Sequence, residues 1–557
     1  MTRRRSGLAL VAIALVLVAA GAGGAVWYAT TGARPAIAGA LGPPRFVEET
    51  ASAGVALTYD GPLAYFVGGG LAVLDCDADG RPDLYVAGGI HPASVYRNDG
   101  TPGGALHFSA VPSPTTDLTA VSGAYPLDVD GDGVVDLAVL CNGENVLLRG
   151  TGDCAFERAN ERWAFNGGDA PTNAFSATWE GAAALPTLAF GNYVNPASDD
   201  PNTLCVPNVL VRPGPVGDGT TYGPPAPLRP SWCALSMLFS DWDGSGRRDL
   251  RVSNDRHYYI DGEEQLWRMD PATAPRLYTA DDGWVRVNVE GMGIASQDLT
   301  GDGLPDVFLT SQGSNRLQTL TAGPGKPTYR DIGLKRGVLA DRPFAGGEDL
   351  PSTAWHPEFD DVNNDGYLDL FISKGNVNSQ PDFATKDPSN LLIGQPDGTF
   401  VEGAEAANIV EFDRGRGAAL ADFNLDGLLD LVEVHLGAPV RIWRNVGAGT
   451  ADAPIGMGHW LEIRVVDAER PNRDAIGAWL DVRVNGTTTR REITVGGGHA
   501  GGQLGWIHAG LGAATSAEVR VQWPDGQVGS WIPVAAGQFV DVPRGSPIAV
   551  EWTPPAR

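Results

Sequence analysis

Twelve residues, DCDADGRPDLYV from Asp75 to Val86, constrain this chain more than any other stretch. Asp75, Asp77 and Asp79 alternate with other residues, Gly80 follows, Asp83 comes three further on, and Leu84 to Val86 is an apolar run. Oxygen ligands at loop positions 1, 3, 5 and 9 suit a hard cation such as calcium, and a glycine at position 6 permits the turn that folds them inward. An EF-hand would place a bidentate Glu at position 12, at the start of a helix. Here that position is Val86, so the loop is expected to join two strands.

The pattern recurs. Asp128, Asp130, Asp132 and Asp136 form a second copy, and Asp241, Asp243, Ser245 and Asp249 another. Asp298, Thr300, Asp302 and Asp306 follow, then Asp361, Asn363, Asp365 and Asp369, and last Asp422, Asn424, Asp426 and Asp430. First residues fall 53, 57, 63 and 61 apart, with one interval of 113 between Asp128 and Asp241. That interval is close to two periods, so a silent copy is expected inside it. Aligning Ala184 to Phe190 with Gly303 to Leu309 puts Trp179, Gly181, Ala183 and Thr187 at its ligand positions.

Seven repeats of strand, loop and strand with glycine-rich turns imply a radial array, and the expected fold is all-β, a seven-bladed β-propeller over 37–446. The phrases FVEETASAGV from Phe46, YRDIGLKRGV from Tyr329 and FVEGAEAANI from Phe400 read as outer strands and turns of blades. Glycine at 74 residues and proline at 41 suit such a turn-rich protein. The net charge of -27 excludes a general nucleic-acid or anionic-membrane surface role. The six loops hold 20 Asp at ligand positions, so much of the acidity is expected to answer to about six structural calcium ions.

The chain opens with Arg3, Arg4 and Arg5, after which Gly7 to Ala29 runs 23 residues without a charge. That is one hydrophobic helix, either a signal anchor or a signal peptide cut near Ala22 or Ala33, within a leader and linker over 1–36. Both readings export the body, and the membrane is met by this helix only. Of five cysteines, the sequence-near pairs are Cys141 with Cys154 and Cys205 with Cys233, which leaves Cys76 as a buried thiol pointing away from the first loop. An insertion from Asn192 to Trp232 and an irregular stretch from His257 to Thr279 are expected on one face, where partners of repeat arrays bind or where loops simply run long. Trp232, Trp242, Tyr258, Tyr259 and Trp267 in this region read as inward-facing blade residues before sugar-stacking ones.

After Asn445 the loops stop. His459 to Val466, Ala478 to Val495 and Ala517 to Val534 alternate apolar and polar residues, with Asn485-Gly486 and Asp525-Gly526 as hairpin turns. A small antiparallel β domain is expected over 447–557, a sandwich or barrel. Arg464, Arg483, Arg490, Arg491 and Arg520 read as its solvated face.

With these motifs in view, the repeats resemble the FG-GAP (VCBS) repeats of integrin-α-type propellers. Asn472 to Val482, Thr494 to Gly512 and Val519 to Val528 resemble the ASPIC and UnbV domain. The combination, over about residues 45 to 545, is similar to the cartilage acidic protein family, seen as exported proteins. The resemblance implies a calcium-bearing propeller for extracellular binding or adhesion, with a protein or glycan partner, no nucleic acid, and no family-wide catalytic set. Against an enzyme, there is no zinc-spaced Cys or His cluster, no GxSxG, no HExxH and no P-loop. Some related propellers host lyase or dehydratase chemistry on sugars, and His257, Tyr258, Tyr259 or His356 would serve it here. A structural role in surface assembly is the third reading.

Overall fold

In the computed structural model, residues 40–195, 197–198, 200, 203–214, 219–255 and 262–555 are described. The expected N-terminal hydrophobic helix, with the rest of the leader and linker over 1–36, lies outside them. Among the described residues no helix is long and apolar enough to cross a membrane.

Each calcium-type loop joins two antiparallel strands in the same register. Leu74 lies opposite Asp83, Leu127 opposite Asp136, Gln297 opposite Asp306 and Ala421 opposite Asp430. A third and a fourth strand complete each sheet. In the first these are Leu71–Leu74, Asp83–Val86, Ser94–Asn98 and Phe108–Ala110. Among the described residues seven such sheets follow one another, the first gaining a fifth strand from further along the chain. Their first strands contact in turn, and the strand Gly415–Ala421 meets Leu71–Leu74 again, closing a ring. The fold is a β-propeller. Phe46–Glu48 pairs with Arg441–Asn445, so the start of the body supplies the outer strand of the last sheet and fastens the ring. The silent copy keeps its place: Thr172–Thr178 and Thr187–Asn192 pair with Thr178 opposite Thr187, the register of the other six.

Apolar residues fill the spaces between neighbouring sheets. Phe175, Phe190 and Trp163 pack beside Leu127 and Leu140 between the second and third, and Phe308, Phe359 and Leu370 between the fifth and sixth. Trp242 and Trp267 are buried in this way, as inward-facing blade residues. Tyr258 and Tyr259 lie outside the described residues, as does His257.

One of the two expected cysteine pairs forms, Cys205 with Cys233, and the other does not. Cys76 bonds to Cys154, Cys205 to Cys233, and Cys141 is the buried thiol. The Cys76 sulfur lies within 4.8 Å of the Asp83 carboxylate and of the Cys154 sulfur. Cys76 meets the turn at Asp153 and Cys154, whose Cys154 N–H donates to the Cys76 carbonyl at 3.0 Å. Sequence nearness favoured Cys141, but that residue ends the strand Asp136–Cys141 with its side chain in the core.

Beyond the propeller lie two four-stranded sheets sharing one core, with Leu461, Leu480, Val519 and Val540 among its residues. The domain is not purely antiparallel, because His459–Val466 runs parallel to Gln538–Pro543. From this sandwich the glycine-rich segment after Thr494 enters the axis of the ring. Val495 bridges to Ala177, Gly496 to Leu238, Gly498 to Ile294 and Gly501 to Ala124, and Gly502–Gln503 adds a parallel strand to Leu71–Leu74. His499 at its tip is fully buried and packs at a tilt against Trp355 with ring centroids 5.0 Å apart. At its glycines a backbone threaded this closely leaves no space for a side chain. A Cβ on Gly123 would sit 1.8 Å from the Ala500 carbonyl oxygen, and one on Gly501 would sit 2.1 Å from that of Leu71.

The plug is therefore expected to be intolerant of one added methyl group. Gly123→Ala should lower stability by about 1–3 kcal/mol or more, whereas Gly456→Ala, with nothing within 4 Å of its Cβ position, should stay within about 0.5 kcal/mol of the parent. Denaturant melts of the two variants decide it, and equal midpoints would contradict a packed axis.

Candidate metal centres

The six loops are built alike. The first-position carboxylate accepts the backbone N–H of the sixth-position glycine in every one: Asp75 from Gly80 at 2.9 Å, Asp128 from Gly133 at 2.8 Å, Asp241 from Gly246 at 3.0 Å, Asp298 from Gly303 at 2.9 Å, Asp361 from Gly366 at 2.7 Å and Asp422 from Gly427 at 2.7 Å. These glycines have φ between 79° and 90°, the left-handed region that a side chain disfavours.

The ninth-position carboxylate does a second task that its loop position alone did not suggest. One Asp83 oxygen accepts from Cys76 N at 2.8 Å and the other from Asn98 N, on the third strand, at 2.7 Å. Asp136 does the same with Val129 and Gly150, Asp369 with Val362 and Gly394, and Asp430 with Phe423 and Asn445. Asp306 accepts from Leu299 N and Thr300 N, both at 2.9 Å. A buried carboxylate thus ties each of these loops down, and in four of them it also ties in the third strand.

Two observations test whether a cation fits. Oxygens of Asp75, Asp77 and Asp83 lie within 4.8 Å of one another, as do those of Asp128, Asp130 and Asp136. Ligands about 2.3–2.6 Å from a shared calcium ion can be no further apart than roughly 5 Å. At the third position, Asp130 Oδ1 and Asn424 Oδ1 are buried and accept no hydrogen bond, and an orphaned buried acceptor calls for a partner. The donor set, carboxylate and amide oxygen with a hydroxyl at Ser245 and Thr300, is all oxygen and fits calcium. Asn363 and Asn424 also fasten the loops sideways, Asn363 Nδ2 donating to the Gly42 carbonyl and Asn424 Nδ2 to that of Gly104.

Burial pushes these carboxyls above their ordinary range. Asp75 is raised to about 6 by desolvation with Asp79 and Asp77 adding, and Asp128 to about 7 by desolvation with Asp474 and Asp132 adding. Asp361 is raised to about 7 by desolvation and by Asp365. Asp83, Asp136, Asp369, Asp422 and Asp430 go well above the usual value for the same leading reason.

Two repeats depart from the pattern. In the silent copy Trp179 and Thr187 are buried, and the Thr187 hydroxyl donates to Glu180, which pairs with Arg212 at 2.8 Å. In the fourth repeat Asp249 receives the Arg247 guanidinium at 2.7 and 3.0 Å, and Ser245 offers no carboxylate at the fifth position.

The C-terminal sandwich sits on this loop face. Trp506 Nε1 donates to the Gly80 carbonyl at 2.9 Å, Arg248 to the Pro524 carbonyl at 2.9 Å, and Gln297 to the Arg490 carbonyl at 3.0 Å. His508 lies 2.6 Å from Asn364 Oδ1 and 2.7 Å from Glu462, and it is raised to about 9, burial opposing and Glu462 raising. Arg491 reaches Asp360 at 2.9 Å, so part of the arginine face expected to meet solvent meets the propeller instead. Arg483 and Arg520 keep to the domain itself, stacked on Trp531 at 4.0 and 4.3 Å. A cavity of about 220 Å³ between the two parts is lined by Asp75, Glu358, Asp422, Glu462 and Glu492 with Arg464 and Arg491. His356 borders it with both ring nitrogens engaged, one by Glu358 at 3.3 Å and one by the His499 N–H at 3.1 Å.

Family models agree with this division of the chain. The FG-GAP-like repeat matches residues 75–139, 298–372 and 361–433, and ASPIC and UnbV matches residues 468–547. The chain carries FG-GAP-like repeats and an ASPIC and UnbV domain. Human cartilage acidic protein 1 is 27% identical over 259 residues, 45% of this chain and 35% of that protein, and the mouse protein is 27% identical over 245 residues, 43% and 34%. The match thus spans about a third of the length of those relatives. Among solved structures, an Agrocybe aegerita lectin that recognises non-reducing terminal N-acetylglucosamine aligns at 14% identity and a TM-score of 0.37, covering 67% of this chain and 93% of its own. The extracellular domain of a putative hybrid two-component system from B. thetaiotaomicron aligns at 7% and 0.38, covering 89% and 59%. Resemblances at this level say nothing about ligands.

Because the folded state of the metal-free chain holds protons on Asp75, Asp128 and Asp361 that the unfolded state releases near pH 4, its stability should fall as pH rises from about 4 to about 7. Melting temperatures in chelator across that window should decline steadily. A flat or rising profile would show that these carboxyls are not held in a protonated, desolvated state.

Proposed function

We propose that this protein is an exported, calcium-stabilised interaction module whose partner is an extracellular protein or a glycan. The observation that carries the metal reading is the pair of buried oxygens, Asp130 Oδ1 and Asn424 Oδ1, orphaned at the same loop position in two different sheets. Asp75, Asp77, Asp79 and Asp83 would hold one ion, and their counterparts in other repeats the rest. Bound calcium would supply two positive charges among carboxylates that have lost their water. The chain's own residues do the remaining work: the sixth-position glycines turn the loop, and the ninth-position carboxylates fasten it to the sheet.

The reading as a binding module rests on what the fold leaves open. The loop face is covered by the sandwich and the axis is filled by its glycine-rich segment. The opposite face carries the insertion held by Cys205–Cys233, and exposes Leu63, 71% accessible, and Phe412, 42% accessible. His356, the described residue most suited to sugar chemistry, is buried with both nitrogens occupied, which favours a protein without catalysis of its own. The hydrophobic segment Gly7 to Ala29 supports export, with the membrane met there or not at all once it is cleaved.

At about 1 mM calcium, a site with a dissociation constant of about 10 µM contributes about 2.7 kcal/mol, so chelation should lower the melting temperature by tens of degrees if several sites are filled. Binding to intact cells and to cell-wall glycans should disappear with it. Leu63→Asp with Phe412→Asp should abolish that binding while leaving the melt unchanged. A melt indifferent to chelator would remove calcium from the account, and binding indifferent to the double substitution would remove the open face from it.

A further inference from the structure

We infer that the guanidinium of Arg247 is the resident cation of the fourth loop, which therefore closes without calcium. The inference rests on the reading of the other loops as calcium sites and divides them into two classes. Three loops carry Asp at positions 1, 3 and 9. Among the described residues those three carboxylates converge within 4.8 Å in the first and second loops; Asp241, Asp243 and Asp249 do not form such a group, and neither do the acids of the last three loops, so the donors on Asp249 decide the assignment.

The side-chain partners explain the difference. Arg247 Nε meets one Asp249 oxygen at 2.7 Å and its terminal nitrogen meets the other at 3.0 Å, a bidentate fork on a fully buried carboxylate. The remaining lone pairs are taken by Trp242 Nε1 at 2.8 Å, the Tyr278 hydroxyl at 2.9 Å and Met269 N at 2.9 Å. Asp249 thus has five donors on it, and none of its acceptor capacity is left for an ion. Asp243 is turned to the next sheet, where its Oδ2 accepts from Gly325 N at 3.1 Å. The first loop also has arginine at position 7, but Arg81 pairs with the fifth-position Asp79 at 2.8 Å and leaves Asp83 to its backbone donors. With Ser245 at the fifth position, Arg247 has no such alternative. In the second loop Arg149 pairs with Asp130 and Asp132 from the rim, and Asp136 keeps only backbone donors. The FG-GAP-like repeat matches cover the loops of the first, second, fifth, sixth and seventh repeats and pass over that of the fourth.

The consequence is a calcium-independent attachment of the C-terminal domain. At this loop Asp241 N donates to Glu492 at 2.8 Å, Ser240 to the same carboxylate at 2.6 Å, and Arg248 to the Gly477 carbonyl at 2.5 Å. These contacts are held by a covalently tethered charge and persist when the others loosen.

Calcium counting by equilibrium dialysis on the intact protein tests this. The wild type should bind one ion fewer than its six loops. Asp243→Asn should keep that count, and Asp77→Asn, the same position in the first loop, should lower it by one at calcium that just saturates the wild type. Amide exchange over 241–249 should be equal in calcium and in chelator while that over 75–83 rises in chelator. A count of six, a loss with Asp243→Asn, or chelator-dependent exchange over 241–249 overturns the inference. An unchanged count with Asp77→Asn instead overturns the reading of the loops as calcium sites.

Discussion

Each metal-type repeat in this propeller turns on one buried carboxylate at the junction between loop and second strand. In the first sheet Asp83 accepts two backbone N–H groups, one from the loop and one from the third strand, and so fixes three segments to one another. Such charge-assisted bonds are shorter and stronger than neutral ones. They are made in a setting where the charge itself is costly, because desolvation raises the carboxyl well above its ordinary range. The loop therefore gathers the charges that give it shape and the repulsion that would open it. A cation resolves that conflict, and so does Arg247 in the fourth repeat. The silent repeat resolves it by removing the acids, with Thr187 in the place of Asp83's counterpart.

The second constraint is the axis. A ring of seven sheets leaves a central space that their own first strands do not fill, and here a segment of another domain fills it with backbone. The close approaches at Gly123 and Gly501 show why both sides are glycine. The sandwich also covers the loop face, so the loops serve as a docking platform as well as metal-type turns. Trp506 lies on the first loop, and Trp460, Trp506 and Trp552 all pack on Phe539 with ring centroids 5.2 to 5.6 Å away. Loop shape and domain position are consequently one problem. A loop that opened would withdraw the surface on which those rings rest.

Much of this was legible because repetition turns a weak local signal into a strong one. The spacing of the acids, the glycine at position 6 and the β-branched run after position 9 are local features, and the strands formed where they indicated, including those flanking Trp179 and Thr187. Contacts that join distant segments were not legible. Cys76 meets Cys154 rather than remaining free because a loop in one sheet faces a turn in the next, and the spacing of cysteines along the chain carries no trace of that. The segment from Thr494 to Gly512 stood out as glycine-rich, but composition does not say that the partner surface lies in another domain. One signal could have been read further: a glycine run around a single histidine interrupts an otherwise period-two domain, which argues for a segment leaving its sheet. Likewise an arginine two residues before the ninth-position acid, in a loop with no acid at position 5, is visible as RRD in the sequence, and only geometry shows that it forks onto Asp249.

The charge balance connects these features to the compartment. Twenty aspartates at loop positions, many of them buried, cannot all ionise in a compact ring unless positive charge arrives with them. Arg247 supplies it at the ninth position from within the chain; the other loop arginines meet acids at the third and fifth positions, Arg81 at Asp79 and Arg149 at Asp130 and Asp132. If the remaining loops take calcium, as proposed, the propeller reaches its full stability only where calcium is present at about 0.1–1 mM, the range typical of extracellular modules. If the chain is exported, as also proposed, the fold would be incomplete before export and complete after it. The Cys76–Cys154 bond between the first loop and the second sheet is made in the same kind of environment. An oxidising, calcium-rich compartment would thus finish the first loop twice, by fastening its second residue covalently and by neutralising the acids on either side of it.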